Sequence, residues 1–186
     1  MTKDRDVASC VALLRAVNVG GRAAVSMAQL REMCTSIGLE NPRTLLQSGN
    51  LVFETEKHSP ADLEKELETE TADRLGLRTD FLVRTDREWS KLVKANPFPD
   101  AARDDPGHLL VVFLKGRPDS AKFDALRAAV KGREEVHGGD RCAYITYPDG
   151  VGRSKLTISV IESKLGTRGT GRNWNTVLKL AAFLEQ

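Results

Sequence analysis

An α+β protein in two halves is the fold class the sequence predicts, and three observations carry that prediction. Strand-like and helix-like stretches follow one another in the order βαββαβ through the first half. The second half repeats the order as βαββα and then adds a last helix. Near-continuous apolar runs, Cys10–Val17 and Leu109–Leu114, open the two halves, as befits central strands covered on both faces. This is the split-βαβ or ferredoxin-like pattern. The expected organisation is two ferredoxin-like halves with antiparallel sheets and an extra C-terminal helix. Residues 1–95 form the first half, 96–106 a linker, and 107–186 the second half with its helix, either separately or as one compact unit.

Taken in order, Cys10–Val17 is the first strand, and Asn18-Val19-Gly20-Gly21 breaks it. Ser26 with Gln29 three residues on is a capping-box signature, and Met27, Leu30, Met33 and Ile37 supply one apolar helical stripe as far as Gly38. Thr44–Ser48 and Asn50–Glu54 read as strands meeting at Ser48-Gly49-Asn50. Ser59-Pro60 with Asp62 opens a helix that Gly76 stops after Leu75, and Asp80–Arg84 returns as a strand. Thr85 with Glu88 starts a further helix, ended by Asn96-Pro97-Phe98-Pro99-Asp100, where a linker runs on to Gly107. In the second half, Leu109–Leu114 is a strand, 118–130 a helix, 134–137 and Cys142–Thr146 strands, and Leu156–Leu165 a helix. The final helix is expected to stand where a fourth strand would otherwise lie, with Thr170 as its N-cap and Trp174, Val177, Leu178, Ala181 and Leu184 as its buried stripe.

A lone ferredoxin-like sheet leaves one face open to water. Central strands apolar on both faces therefore require that each half cover the other or lie against an extra helix. The cleft between halves is the default ligand site under that expectation.

Composition narrows the partners. A net charge of +2 and 40% hydrophobic residues describe an ordinary globular chain of 186 residues, too mildly basic to advertise nucleic acid or a membrane through bulk charge. Charge is uneven, however: from Arg141 onward seven Lys or Arg stand against three acids. Asp62, Glu64, Glu66, Glu68 and Glu70 make the second helix acidic, which reads as a solvated face. The first six residues lack a secretory pattern and no apolar run reaches membrane-spanning length, so the expected location is cytoplasmic, with no membrane partner. Cys10, Cys34 and Cys142 are odd in number and widely spaced, which suits reduced thiols.

The candidate ligand residues come from glycine-basic turns. Asn18, Gly20 and Gly21 join a strand to a helix, the setting in which backbone N–H groups approach phosphate, but neither G-x-G-x-x-G nor the Walker pattern is present. Gly150–Lys155 offers a similar entry with Arg153 and Lys155. Gly169–Thr176 carries Arg172, Asn173 and Thr176 beside the start of the last helix. Arg15 within an apolar strand needs a carboxylate, carbonyls or an anion, and a structural partner is the favoured answer. Gln47, Ser48 and Asn50 can present amide and hydroxyl groups beside it, although side chains satisfying their own turn are the simpler reading. Convergence of these turns would make a pocket for a small anionic or phosphate-bearing ligand.

No reaction is legible. His58, His108 and His137 are isolated, without metal-ligand spacing, so neither a metal nor a cofactor is expected. Ser48 lacks the first glycine of G-x-S-x-G, because position 46 is Leu. Cys142 and His137 can be drawn as a dyad, yet a cysteine opening a strand is ordinarily core. Asp149 and Glu162 read as ion-pair partners of the basic cluster. Two further classes stay open. Non-sequence-specific nucleic-acid binding would rest on phosphate contacts alone, since among the first and third strands only Phe53 is aromatic. A protein-interaction module would use Trp89 or Phe98, although Trp89, Leu92 and Val93 have the spacing of a core stripe.

Four blocks carry a resemblance: Leu14-Arg15-Ala16-Val17-Asn18-Val19-Gly20-Gly21, Gln47-Ser48-Gly49-Asn50-Leu51-Val52-Phe53, Gly150-Val151-Gly152-Arg153-Ser154-Lys155-Leu156 and Arg172-Asn173-Trp174-Asn175-Thr176-Val177. Together they resemble the bacterial domain-of-unknown-function 1697 family over nearly the whole chain. The resemblance implies a compact α+β protein with two ferredoxin-like halves and carries no activity with it. Relatives often read Thr-Thr-Arg-Asn-Trp where this chain has Gly169-Thr170-Gly171-Arg172-Asn173-Trp174.

Overall fold

The computed structural model describes residues 7–15, 25–45, 49–56 and 59–186. The chain divides into two compact units, one of Met1–Trp89 with Leu180–Gln186, the other of Ser90–Lys179.

The first unit runs β1 (Ala8–Leu14), α1 (Met27–Ser36), β2 (Glu40–Leu45), β3 (Asn50–Thr55), α2 (Pro60–Leu75) and β4 (Phe81–Thr85) before α3 (Asp86–Lys94) begins. Its four strands lie in the order β2-β3-β1-β4, each antiparallel to its neighbour, which is the expected βαββαβ sheet. Local chemistry fixes the helix starts. Ser26 Oγ accepts the Gln29 N–H at 3.1 Å while Gln29 Oε1 accepts the Ser26 N–H, closing the capping box on α1. Ser59 Oγ accepts from the Asp62 N–H at 3.3 Å, Pro60 stands at the first turn, and Gly76 at φ 65° ends α2 in the left-handed conformation that glycine adopts without strain. The period of β1 sorts its residues: Cys10, Ala12 and Leu14 join Leu30, Met33, Cys34, Phe53, Leu63 and Leu67 in the helix-side core. Val11 and Leu13, on the other face, are fully buried too.

The acidic stripe of α2 corrects one expectation. Glu64 and Glu68 are not part of a solvated face. Arg15 N–H donates to Asp80 C=O, so β4 makes its ladder bonds with β1 through Leu82 and Arg84 and turns the N–H groups of Phe81 and Val83 outward. Glu68 Oε1 accepts the first at 2.9 Å and Glu64 Oε1 the second at 2.9 Å. One helix thereby satisfies the exposed edge of the sheet.

The second unit repeats the plan with β5 (Leu109–Leu114), α5 (Ser120–Ala128), β6 (Glu135–Gly139), β7 (Cys142–Thr146), α6 (Ile158–Leu165) and β8 (Gly169–Asn173). Before it, α4 (Pro99–Asp104) is a short helix in the stretch expected to be a plain linker. The strand order is β6-β7-β5-β8. Here the structure departs from the sequence expectation, because a fourth strand does exist. Gly169–Asn173 pairs antiparallel with β5, so Thr170 faces Phe113 in a sheet and caps no helix. The last helix, α7 (Trp174–Leu184), starts only after β8, and its cap is Asn173, whose Oδ1 accepts the Thr176 N–H at 3.0 Å. Arg172 belongs to the strand, not to the entry of a helix. The glycines explain the strand's close approach: a Cβ on Gly169 would sit 2.7 Å from Phe113 C=O.

Val112, Leu114, Phe123, Leu126, Ala143, Ile145, Ile161 and Leu165 form the helix-side core of this unit. On the sheet's second face Tyr144 is buried and its hydroxyl donates to Leu92 C=O of α3 at 2.7 Å. In the first unit, Arg43 of β2 donates to Phe183 C=O of α7 at 2.8 Å and lies 5.2 Å from the Phe183 ring centroid. A further helix thus meets the second face of each sheet. Among the described residues no helix is long and apolar enough to cross a membrane.

Candidate functional site

The two sheets place one arginine each at the same point of the repeat. Arg84 on edge strand β4 lies opposite Val11 of β1, and Arg172 on edge strand β8 lies opposite Val111 of β5. Both side chains curl back onto the carbonyl of the preceding residue: Arg84 Nη1 donates to Val83 C=O at 2.7 Å, and Arg172 Nη1 donates to Gly171 C=O at 2.8 Å. Arg172 Nη1 also donates to Thr170 Oγ1 at 2.8 Å. These bonds fix each guanidinium against its strand instead of releasing it to solvent.

Their surroundings differ. Arg84 is 3% exposed with the Glu64 carboxylate 3.8 Å away, while the same carboxylate holds the Val83 N–H. Arg172 is half-buried, and burial pulls its pKa down from the usual arginine range to about 10. A guanidinium that has lost hydration gains more than an exposed one from an anion brought beside it.

The other sequence candidates fall in separate places. Arg153 ends a 3-10 turn, Val151–Arg153, and Lys155 follows two residues on, both exposed. Ion pairs and hydrogen bonds hold this turn: Arg133 pairs with Asp149, and Ser154 Oγ donates to the Glu134 carboxylate. Each contact holds its carboxyl below the usual range, Asp149 first through the Arg133 hydrogen bond and Glu134 first through the Ser154 hydroxyl. The turn follows β7, which is separated from β8 by β5, so Arg153 and Lys155 start from a different strand than Arg172. Asn173 and Thr176 adjoin Arg172 in the chain and are engaged with each other in the α7 cap. Asn50 is fully buried with Nδ2 donating to Leu45 C=O at 3.0 Å, next to Gly49 at φ 72°. Arg15 C=O accepts the Thr79 hydroxyl at 2.6 Å. Asn18, Gly20, Gly21, Gln47 and Ser48 lie outside the described residues.

Asp149 forms an ion pair, but with Arg133, which precedes the basic cluster that starts at Arg141, and Glu162 accepts the Gly169 N–H at 2.8 Å, repeating what Glu68 does for Phe81. A lone arginine in a short strand carries no motif, so the sequence does not single out Arg84. The signal that could have found it is the repeat itself, in which a strand ending in Arg-Thr or Arg-Asn leads straight into a helix: Arg84-Thr85 and Arg172-Asn173.

No group of three or more His, Cys, Asp or Glu is placed to hold a metal ion among the described residues. His108 Nδ1 lies 2.9 Å from Asp105 Oδ2 on the surface. Phe53 is wholly enclosed in the helix-side core and Tyr144 is buried, so neither ring is presented for base stacking.

The fold and the edge arginines define a class: an α+β protein of two ferredoxin-like halves, each with a helix-side core and an arginine-bearing edge strand. Within that class, the family model described as "Protein of unknown function (DUF1697)" matches residues 7–144, and the chain belongs to that family. Among solved structures, the conserved bacterial protein SP0830 from Streptococcus pneumoniae is similar over 96% of this chain and 99% of that one, with a TM-score of 0.77 at 23% identity. That likeness speaks to the fold. No curated protein matches the sequence.

Proposed function

We propose that this protein binds a small anionic ligand, bearing a carboxylate or a phosphate, with Arg172 as its principal cation. The observation that carries the reading is the desolvated guanidinium of Arg172, held on β8 by Thr170 Oγ1 and Gly171 C=O with its pKa drawn down to about 10. An anion there would add a charge-assisted contact to a guanidinium already held in place on its strand. Arg153 and Lys155, exposed on the turn after β7, add the positive field that would draw an anion toward the second unit. In this reading Arg15, Asn18, Gly20, Gly21, Gln47, Ser48, Asn50, Asn173 and Thr176 are polar supports to be tested after Arg172. Three buried free thiols suit a reducing compartment, and the reading places the protein in the cytoplasm.

The experiment is a thermal-shift screen against carboxylates, phosphorylated small molecules and short nucleic acids at low and moderate salt. A ligand at about a hundredfold over its Kd adds ~2.7 kcal/mol, which for a chain of this size raises the midpoint by roughly 5–10 °C. The reading expects a shift from a small anion that Arg172→Ala abolishes. Shifts from nucleic acid alone, vanishing with salt, would replace it with phosphate-backbone binding.

A further inference from the structure

Of the strands at the edges of the two sheets, β2, β4 and β8 are each obstructed, and β6 is not. On β4, Glu64 and Glu68 take the outward N–H groups of Val83 and Phe81. On β8, Glu162 takes that of Gly169. The pairing of β2 is irregular between Glu40 and Arg43, with Asn41 at φ 49°, which interrupts a regular ladder. In β6, Gly139 is paired with Cys142 across a two-residue turn, so Glu135 and His137 aim their backbone groups at β7, and Val136 and Gly138 aim theirs off the sheet. Two side-chain contacts agree with that alternation. Glu135 N–H donates to Thr146 Oγ1 of β7 at 3.2 Å, and Arg127 Nη1 reaches the outward Val136 C=O at 3.5 Å. Among the described residues, the N–H of Val136 and both backbone groups of Gly138 meet no other partner.

We propose that β6 pairs with β6 of a second copy of this chain, antiparallel about a twofold axis at His137. That register uses every outward group. Val136 N–H donates to Gly138 C=O of the second copy, the Gly138 N–H of the second copy donates to Val136 C=O, and the twofold repeats both bonds. It also sets side chains against glycines: Val136 falls opposite Gly138 and Glu135 opposite Gly139, and only His137 meets itself. On the helix side Phe123 stands over Gly138, where a Cβ would lie 2.9 Å from its ring. The incoming Val136 therefore meets an aromatic surface with no side chain of β6 between. On the other side the Glu135 carboxylate of one copy lies diagonal to the His137 imidazole of the second, a compatible pair at any protonation state of the ring. A strand of five residues buries less than a standard interface, so the association is weak and depends on concentration. The proposal is independent of the anion-binding reading.

The test is sedimentation equilibrium of the full chain from micromolar to millimolar concentration, beside amide hydrogen exchange of the nitrogen-15 labelled protein. The expected result is a change from one chain to two as concentration rises, with exchange at Val136 and Gly138 slowing in step. His137 is exposed, so variants there should fold. His137→Lys and His137→Glu each bring like charges together at the axis and are expected to stay monomeric, whereas an equimolar mixture of the two associates again. His137→Gln, which is uncharged, should associate as the wild type does. A wild type that stays a single chain at millimolar concentration overturns the proposal. So does a dimer that the charged His137 variants leave unchanged, or one in which Val136 and Gly138 exchange as freely as in dilute solution, because its interface then lies elsewhere.

Discussion

Glu64 accepts the Val83 N–H at 2.9 Å and stands 3.8 Å from Arg84 Nη1, so one buried carboxylate both closes the open edge of a sheet and neutralises a buried arginine. Both residues are almost wholly enclosed, at 5% and 3% exposure. Removing one partner of such a pair costs far more than its net worth, because the other charge is left desolvated. Glu64→Ala should therefore destabilise the first unit by about 3–5 kcal/mol. Glu64→Gln, which keeps an acceptor for the Val83 N–H but not the charge, should cost less. Urea unfolding of the two variants measures the order, and equal losses would show that the charge alone matters and the hydrogen bond to Val83 contributes nothing.

The glycines of β8 make a graded prediction. A Cβ on Gly169 would lie 2.7 Å from a backbone carbonyl oxygen, that of Phe113, whereas one on Gly171 would meet nothing closer than 3.4 Å, at Leu110. Gly169→Ala is expected to cost about 1–3 kcal/mol through forced strand movement, and Gly171→Ala much less. Thermal midpoints of the two variants check this, and a Gly171→Ala loss as large as that of Gly169→Ala would contradict the placement of the strand.

Asn173 supplies the cap of α7 through its bond to the Thr176 N–H at 3.0 Å. Asn173→Ala should cost about 1 kcal/mol and Asn173→Asp little or nothing. Thr170→Ala should not produce a helix-capping loss, since Thr170 sits within β8. Helix content by circular dichroism near the midpoint separates the two.

Burial pushes the thiols of Cys10 and Cys34 up to about 12. Both should resist alkylation by iodoacetamide at pH 8 in the folded protein, because the reactive thiolate is suppressed. The sign of the linkage follows from the raised folded-state values. The folded state retains protons that the unfolded chain releases, so this contribution is complete below the unfolded thiol range near 8.5. It declines as pH rises from there toward 12, each thiol adding a slope of about 1.4 kcal/mol per pH unit within the window. Replacing either by Ser should flatten the alkaline limb of the stability curve.

Much of this architecture was legible in the sequence, and the exceptions have physical causes. Capping chemistry located α1, α2 and α3 because Ser26, Ser59 and Thr85 act on backbone groups three residues away. The fourth strand of the second sheet escaped notice because Gly169-Thr170-Gly171-Arg172-Asn173 has no alternation of apolar side chains. Its inward positions are glycines, which pack by letting the backbone approach Phe113 and Val112 and so leave no hydrophobic pattern to read. A stricter accounting of β5 points to it: a fully buried strand needs hydrogen-bond partners along both edges, and the hairpin strands β6 and β7 supply only one. The role of Glu64 and Glu68 was hidden for a related reason. Their spacing of four, each one residue past Leu63 and Leu67, puts them on the flank of the buried stripe, but composition alone made the helix look uniformly wet. Arg172 was recognisable as a candidate from its basic, glycine-rich surroundings, whereas its equivalence to Arg84 appears only when the two sheets are laid on one plan.

Whether Arg172 meets an anion is read most directly by nitrogen-15 NMR of the arginine guanidinium groups during titration with propionate and, separately, orthophosphate. Arg84, already beside Glu64, is the internal control. The Arg172 resonances are expected to shift and sharpen on adding one of these anions while those of Arg84 stay in place, and the shift is expected to saturate. Unchanged Arg172 resonances with both anions, or equal movement of the exposed and buried arginines alike, would contradict anion binding at Arg172.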